Sequence, residues 1–233
     1  MGSVRLLVID TSSVVSAALL DVVEDGSGAS VAFSFLGDDT HRHAEDLTPA
    51  VRSGLAQAGW ERPDAILVGD GPGPFTGLRV GLATAATLGF AWGIPVHGIC
   101  SLDGLAHQAA ALAEGDFAAA LDARRKELYW ARYNQAGERI EGPFVGAPAA
   151  LPVGLPVAGA GAAARAEELA QLGTPVLAGT QDWPVDAAHL GLAWLAAGRP
   201  QEAPQARYLR DSDAVVPGSM AGVDLSAAKR AQA

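Results

Sequence analysis

Two short apolar runs in this sequence each end in an aspartate followed by a polar turn. Residues 5–10 (RLLVID) lead into Thr11-Ser12-Ser13, and Phe117–Asp122 (FAAALD) leads into Ala123-Arg124. A carboxylate at a strand end, beside hydroxyls and a tight turn, is suited to orienting a phosphate and its metal ion. Close approach of backbone to phosphate calls for glycine in such a turn, and Ser12 and Ala123 stand there instead. The favoured reading of Asp10 and Asp122 is therefore that each caps the turn after it, with nucleotide chemistry as the alternative.

The segment 69–81, GDGPGPFTGLRVG, places a Gly/Pro turn between a strand and a helix. Gly71 and Gly73 permit unusual backbone angles, Pro72 and Pro74 stiffen the turn, and Thr76 lies near the helix start, where exposed amides can hold an anion. It is neither a Walker A loop nor a dinucleotide fingerprint. The helix carries Gly77, Gly81, Ala85 and Gly89 at every fourth position, a flat stripe that another backbone can approach. Each glycine costs about 1 kcal/mol relative to alanine inside a helix, so close packing must offset the loss. Spacing leaves open whether the neighbour is the chain's own sheet or another protein.

Other reactive side chains are sparse. His41 and His43 are two apart and share no helix face, and no HExxH or cysteine cluster supports a metal site. His97, His107 and His189 are scattered, and no Gly-x-Ser-x-Gly elbow supplies a serine nucleophile. The single cysteine, Cys100, reads as a small core residue.

The elements that must position these groups alternate strand and helix. Strands are expected at 5–10, 14–22 and 30–35, the last two joined by a turn at 24–28. A helix over His43–Ala58 follows, with Leu47, Val51 and Leu55 on one face and Gly59 as its stop. Then come a covered strand at Ala65–Gly69, a helix at 76–92, a strand at 96–100 and a helix at 105–113. Phe117–Asp122 restarts the pattern, and 127–133 answers 14–22. Two related α/β lobes with an aspartate-ended strand at corresponding places is the layout of the actin, sugar-kinase and Hsp70 fold. The first lobe is placed at 1–103 and a reduced second lobe at 104–200, with helices at 162–172 and 187–197. A C-terminal segment, 201–233, is expected to be partly mobile.

The 233 residues are 49% hydrophobic, enough for a substantial core, and no apolar run reaches the roughly 18 residues of a membrane span. No signal-like N-terminus precedes the first strand, so a cytoplasmic protein with no membrane partner is expected. The net charge of −10 disfavours independent binding to nucleic acid, so RNA, if it is a substrate, would be gripped by a partner.

Together, Ile9-Asp10-Thr11-Ser12, Arg42-His43-Ala44-Glu45, the 71–81 segment, Leu121-Asp122-Ala123-Arg124 with Glu127 and Tyr129, and Tyr208-Leu209-Arg210 resemble the TsaB (YeaZ) family. The match is dense over 5–133, and Pro74 replaces the serine usual there. The resemblance implies an actin-like ATPase fold (ribonuclease H-like, with two lobes) that has lost independent nucleotide chemistry, leaving Asp10, Thr11, Ser12 and Asp122 as remnants. It implies a non-catalytic subunit for threonylcarbamoyl transfer to adenosine in ANN-decoding tRNA. The subunit would bind TsaD, support docking of TsaE and touch tRNA only indirectly. No cofactor of its own is implied; ATP belongs to partner subunits, and a nucleotide at the TsaD interface is left open. The same helical face is implied for a homodimer and for TsaD, assigned to His43, Leu47, Val51, Thr76, Gly77, Val80, Gly81, Thr84, Ala85 and Leu88. On that assignment an arginine at Gly81 blocks the partner and spares the fold. TsaD's metal-binding histidines lie on the helix matching His43–Ala58, where this chain has only His43, so neither metal nor proteolysis is implied.

Overall fold

Alternate residues of a strand face opposite sides of its sheet, so a strand covered on both sides must be apolar throughout. That is the condition of β1 (Ser3–Asp10) and β4 (Ala65–Gly69), which are buried along Leu6–Ile9 and over all of β4. In the computed structural model, which describes residues 2–25 and 28–210, they lie at the centre of a five-stranded sheet. β2 (Ser16–Val23) and β3 (Ala29–Leu36) complete an antiparallel meander with β1, and β5 (Val96–Ile99) extends the parallel side, giving the order β3-β2-β1-β4-β5. Leu7 pairs with Leu19 across the antiparallel edge, and Ile9 with Val68 across the parallel one. Residues 26 and 27 of the expected 24–28 turn lie outside the described residues.

One face of this sheet, carrying Leu7, Ile9, Ile66 and Val68, is covered by α1 (His43–Ala58) and α2 (Phe75–Trp92). Both helices end at left-handed glycines, Gly59 and Gly93, whose missing Cβ permits the conformation. The other face, carrying Leu6, Val8 and Leu67, is covered by α6 (Ala187–Ala196) through Leu190 and Trp194. The sequence expectation placed this helix with the second lobe; it returns to the first because that face has no other cover.

β6 (Phe117–Asp122), β7 (Leu128–Tyr133), β8 (Arg139–Gly146) and β9 (Val157–Ala158) form a second sheet ordered β8-β7-β6-β9. Its directions repeat those of the first sheet, with the fifth strand reduced to a single parallel bridge between Val157 and Val176. The echo of residues 5–10 in Phe117–Asp122 is thus an echo of topology. β8 and β9 have no counterpart in the sequence reading, because β8 is interrupted by Gly142-Pro143 and largely exposed, and β9 is two residues long. α3 (Ser101–Ala109) covers one face through Leu102, Leu105 and Ala106, against Phe117, Ala119 and Tyr133. It begins four residues before the expected 105, because Cys100 hands β5 directly to it, and the expected lobe boundary at 103 falls inside it. α4 (Ala160–Ala163) and α5 (Ala166–Gln171) cover the opposite face, and together they answer the single helix expected at 162–172.

From Pro200 the described chain runs as an extended strap across both lobes. Gly98 N donates to the Glu202 carbonyl (2.8 Å), Arg207 N to the Asp70 carbonyl (2.8 Å), and Arg210 to the Ala123 carbonyl (3.1 Å). Most of the C-terminal segment expected to be mobile, from 211 on, lies outside the described residues. Among the described residues no helix is long and apolar enough to cross a membrane.

Candidate functional site

The ends of β1 and β6 face a common cleft of about 1100 Å³ between the lobes, and the two aspartates meet different fates there. Asp10 is wholly buried. One carboxylate oxygen accepts from Ser12 N (2.8 Å) and Ser12 Oγ (2.6 Å), and the other from Ser101 Oγ (2.5 Å). Gly69 makes this possible, since a Cβ there would collide with Asp10 Oδ2. Burial pushes the Asp10 carboxyl above the usual range, against three hydrogen bonds that favour the ion, and the charge of Asp70 adds to the rise. The capping expected of Asp10 is realised in the bond from Ser12 N, and the carboxylate presents no oxygen to the cleft. Asp122 is exposed on the cleft wall, where Oδ1 accepts from Arg124 N (3.1 Å) and Arg165 Nη2 (3.3 Å).

The turn after β1 is closed as well. The Thr11 hydroxyl donates to the Gly77 carbonyl (2.8 Å) and accepts from Gly81 N (3.2 Å), so it enters the hydrogen-bond ladder of α2. Gly73 lies so close to Ser12 that an added Cβ would come within 2.8 Å of its backbone. His43 Nε2 donates to the Ser13 carbonyl (2.9 Å), which fixes the proton on that nitrogen, since a carbonyl only accepts. The Thr11 hydroxyl and the Ser13 carbonyl are thus engaged by α2 and α1, while Ser12, Ser13 and Gly73–Gly77 line the cleft wall.

These contacts settle which way the small-residue stripe of α2 faces. Gly77 and Gly81 receive Thr11, Gly89 receives Val96, and Ala85 is buried in the core of the first sheet. His43, Leu47 and Val51 are buried too. Of the ten residues assigned to a partner surface, six (His43, Leu47, Val51, Gly77, Gly81 and Ala85) belong to the chain's own interior, because β1 and its following turn need that close approach. An arginine at Gly81 would strike Thr11 and damage the fold. Thr76 is exposed and Val80, Thr84 and Leu88 are half-buried, beside an open face formed by Arg79, Ala83, Thr87 and Phe90. Phe90 is 91% exposed. The spacing that put 77, 81, 85 and 89 on one side implied 79, 83, 87 and 90 on the other.

A polar network unseen in the sequence joins β4, α3, β8 and the strap. Asp70, 2% exposed, receives Arg207 Nε at 2.6 Å and Gln205 N at 3.3 Å. Burial pushes its carboxyl up and Arg207 opposes the rise. Asp103 is half-buried against Arg139 Nε (3.0 Å) and Tyr133 OH (2.8 Å), and desolvation likewise raises its carboxyl. At the cleft mouth Tyr208 packs at a tilt of 42° against Phe75 with centroids 4.9 Å apart, and Arg79 covers the same ring at 3.8 Å. Burial pushes the Cys100 thiol up, as suits a core residue. Among the described residues no three potential metal ligands cluster.

A three-stranded meander extended by parallel strands, present twice and truncated the second time, defines a protein of the actin-like class. The sequence matches the family described as TsaD: tRNA N6-adenosine threonylcarbamoyltransferase over residues 38–189. It is 38% identical to an uncharacterised protein of Mycobacterium leprae over 94% of this chain and 61% of that protein. It is 32% identical to the Haemophilus influenzae tRNA threonylcarbamoyladenosine biosynthesis protein TsaB over 57% of this chain and 55% of that one. The chain thus spans less than two thirds of the length of these two curated relatives. The solved structure of YeaZ from Pseudomonas aeruginosa superposes with a TM-score of 0.66 at 30% identity, covering 87% of this chain and 97% of that one. The chain belongs to the TsaB/YeaZ family, within the wider TsaD group.

Proposed function

We propose that this chain is a non-catalytic partner subunit in the synthesis of threonylcarbamoyladenosine on ANN-decoding tRNA. It seats a TsaD protein on the open face of α1 and α2, and through that complex supports TsaE. The same face holds a second copy of the chain when TsaD is absent, and ATP is handled by the partner subunits. The observation that carries the reading is the sealed Asp10: with both carboxylate oxygens consumed by internal bonds, the end of β1 offers no carboxylate to a phosphate's metal ion. Family membership supports the pathway, and the exposed face of α2 supports the docking surface. An apolar side chain as exposed as Phe90 at the end of a face built from Ala83 and Thr87 suits a helix-to-helix contact.

Size-exclusion chromatography with light scattering, on the chain alone and mixed with its cognate TsaD, tests this. Wild type is expected to form a homodimer that converts to a mixed complex. Ala83→Arg and Phe90→Glu, both on exposed positions, are expected to do neither while keeping a native circular dichroism spectrum. A wild-type monomer in every mixture would refute the reading.

The cleft itself favours a second reading, a small ATPase or phosphotransferase, because Asp122 is exposed there opposite Ser13 and Thr40. ATP hydrolysis by the purified chain, abolished in Asp122→Asn, would establish it; the subunit reading expects no hydrolysis above background.

A further inference from the structure

The loop joining β6 to β7 holds three consecutive residues in left-handed backbone, Arg124, Arg125 and Lys126, at φ 59°, 49° and 64°. This region is disfavoured for residues with a Cβ, and asparagine or glycine ordinarily fills it. The loop is well tied. Ala123 N donates to the Glu127 carbonyl (3.0 Å), and Glu127 N to the Arg124 carbonyl (2.9 Å), closing a turn whose central residues are Arg125 and Lys126. A turn of this kind would be more stable as Asn-Gly. Three long cations are held instead in a conformation they disfavour, and backbone strain of that sort gathers where a side chain has work to do.

All three side chains are exposed, and Arg124 reaches the rim of the cleft. The acids beside them are engaged by other cations: Asp122 by Arg165 at 3.3 Å, and Glu127 by Arg210. Arg124 and Lys126 form no ion pair among the described residues. On a chain of net charge −10 this is the densest basic run in the sequence, and it is concentrated on one hairpin tip. Such a concentration attracts polyanions locally, whatever the net charge. The tip is open and its cations follow one another along the chain. That geometry suits successive phosphates of a nucleic acid backbone better than one enclosed phosphate, and the arginine fork binds phosphate by paired hydrogen bonds.

We propose that the Arg124-Arg125-Lys126 tip contacts the phosphate backbone of the RNA on which the assembled complex acts. The inference rests on the subunit reading above and replaces its expectation that RNA is reached only through partners.

The test is fluorescence anisotropy of a transfer RNA transcript titrated with the complex of this chain and TsaD, at several salt concentrations. Arg125→Asn combined with Lys126→Gly relaxes the turn and removes two charges. Its melting temperature is expected to rise, RNA affinity to fall, and the slope of log K against log salt to become shallower by about 2. Lys126→Glu keeps the left-handed backbone and reverses one charge, so it is expected to weaken RNA binding without raising the melting temperature. Excess ATP is expected to leave RNA binding unchanged; displacement by ATP would assign the tip to a mononucleotide site and overturn the proposal. Unaltered affinity and salt slope in both variants would overturn it too. Light scattering before RNA is added distinguishes the two levels. A complex that fails to form removes the subunit reading and this inference with it, whereas a complex that binds RNA regardless of the tip removes the inference alone.

Discussion

Gly81→Ala is the sharpest test of how the first lobe is built. Alanine is the better helix former by about 1 kcal/mol, so propensity alone predicts stabilisation. Geometry opposes it: the new Cβ would lie 2.4 Å from Thr11 Oγ1, well inside ordinary contact. Thr11 is buried and its hydroxyl bonds both Gly77 O and Gly81 N, so it has no free direction in which to retreat. Overpacking of this kind costs about 1–3 kcal/mol, and displacing the hydroxyl loses two hydrogen bonds worth about 1 kcal/mol each. Less the propensity gain, the net expectation is a loss of about 2–4 kcal/mol, near 2–4 °C of melting temperature for each kcal/mol in a chain of this size. Thr11→Ala removes the obstructing oxygen, so the double variant is expected to lose less than the sum of the single losses. Urea unfolding of the four proteins measures the cycle. A Gly81→Ala variant as stable as wild type, or strict additivity with Thr11→Ala, would refute the reasoning and return the stripe to a partner surface.

Two further outcomes follow from the polar network and the histidines. Arg207→Ala strands a buried carboxylate and is expected to cost about 3 kcal/mol near neutral pH, with Asp70→Asn in the same chain recovering most of the loss. Because Asp70 is already raised by burial, the deficit of Arg207→Ala should shrink as pH falls and that carboxyl protonates; urea midpoints at neutral and mildly acidic pH check both statements. His107 meets His189 across α3 and α6 with Nδ1 atoms 3.2 Å apart, and burial first, then the second ring, hold His107 below the ordinary imidazole range. An imidazole depressed in the folded state contributes stability present above the unfolded value near 6.5 and lost as pH falls through its folded value. Wild type is therefore expected to lose stability relative to His107→Gln on acidification through that window, and parallel pH profiles would contradict the pairing.

Sequence alone carried the local elements and the order in which they recur. The apolar run at residues 5–10, the i, i+4 spacing of Leu47, Val51 and Leu55, and Gly59 as a stop are properties of neighbouring residues, and periodicity reports them directly. The repeated aspartate-ended strand was legible for the same reason, and so was the family. Tertiary structure decided what each group faces. The seal on Asp10 comes from Ser101, 91 positions away, and the partner of Asp70 is Arg207, 137 positions away. The α2 stripe faced inward because Thr11 and Val96, distant in sequence, fill it. The same spacing would have served a partner helix equally well. A helix records which residues share a face, but hydrogen-bond satisfaction and burial across the folded chain determine what that face meets.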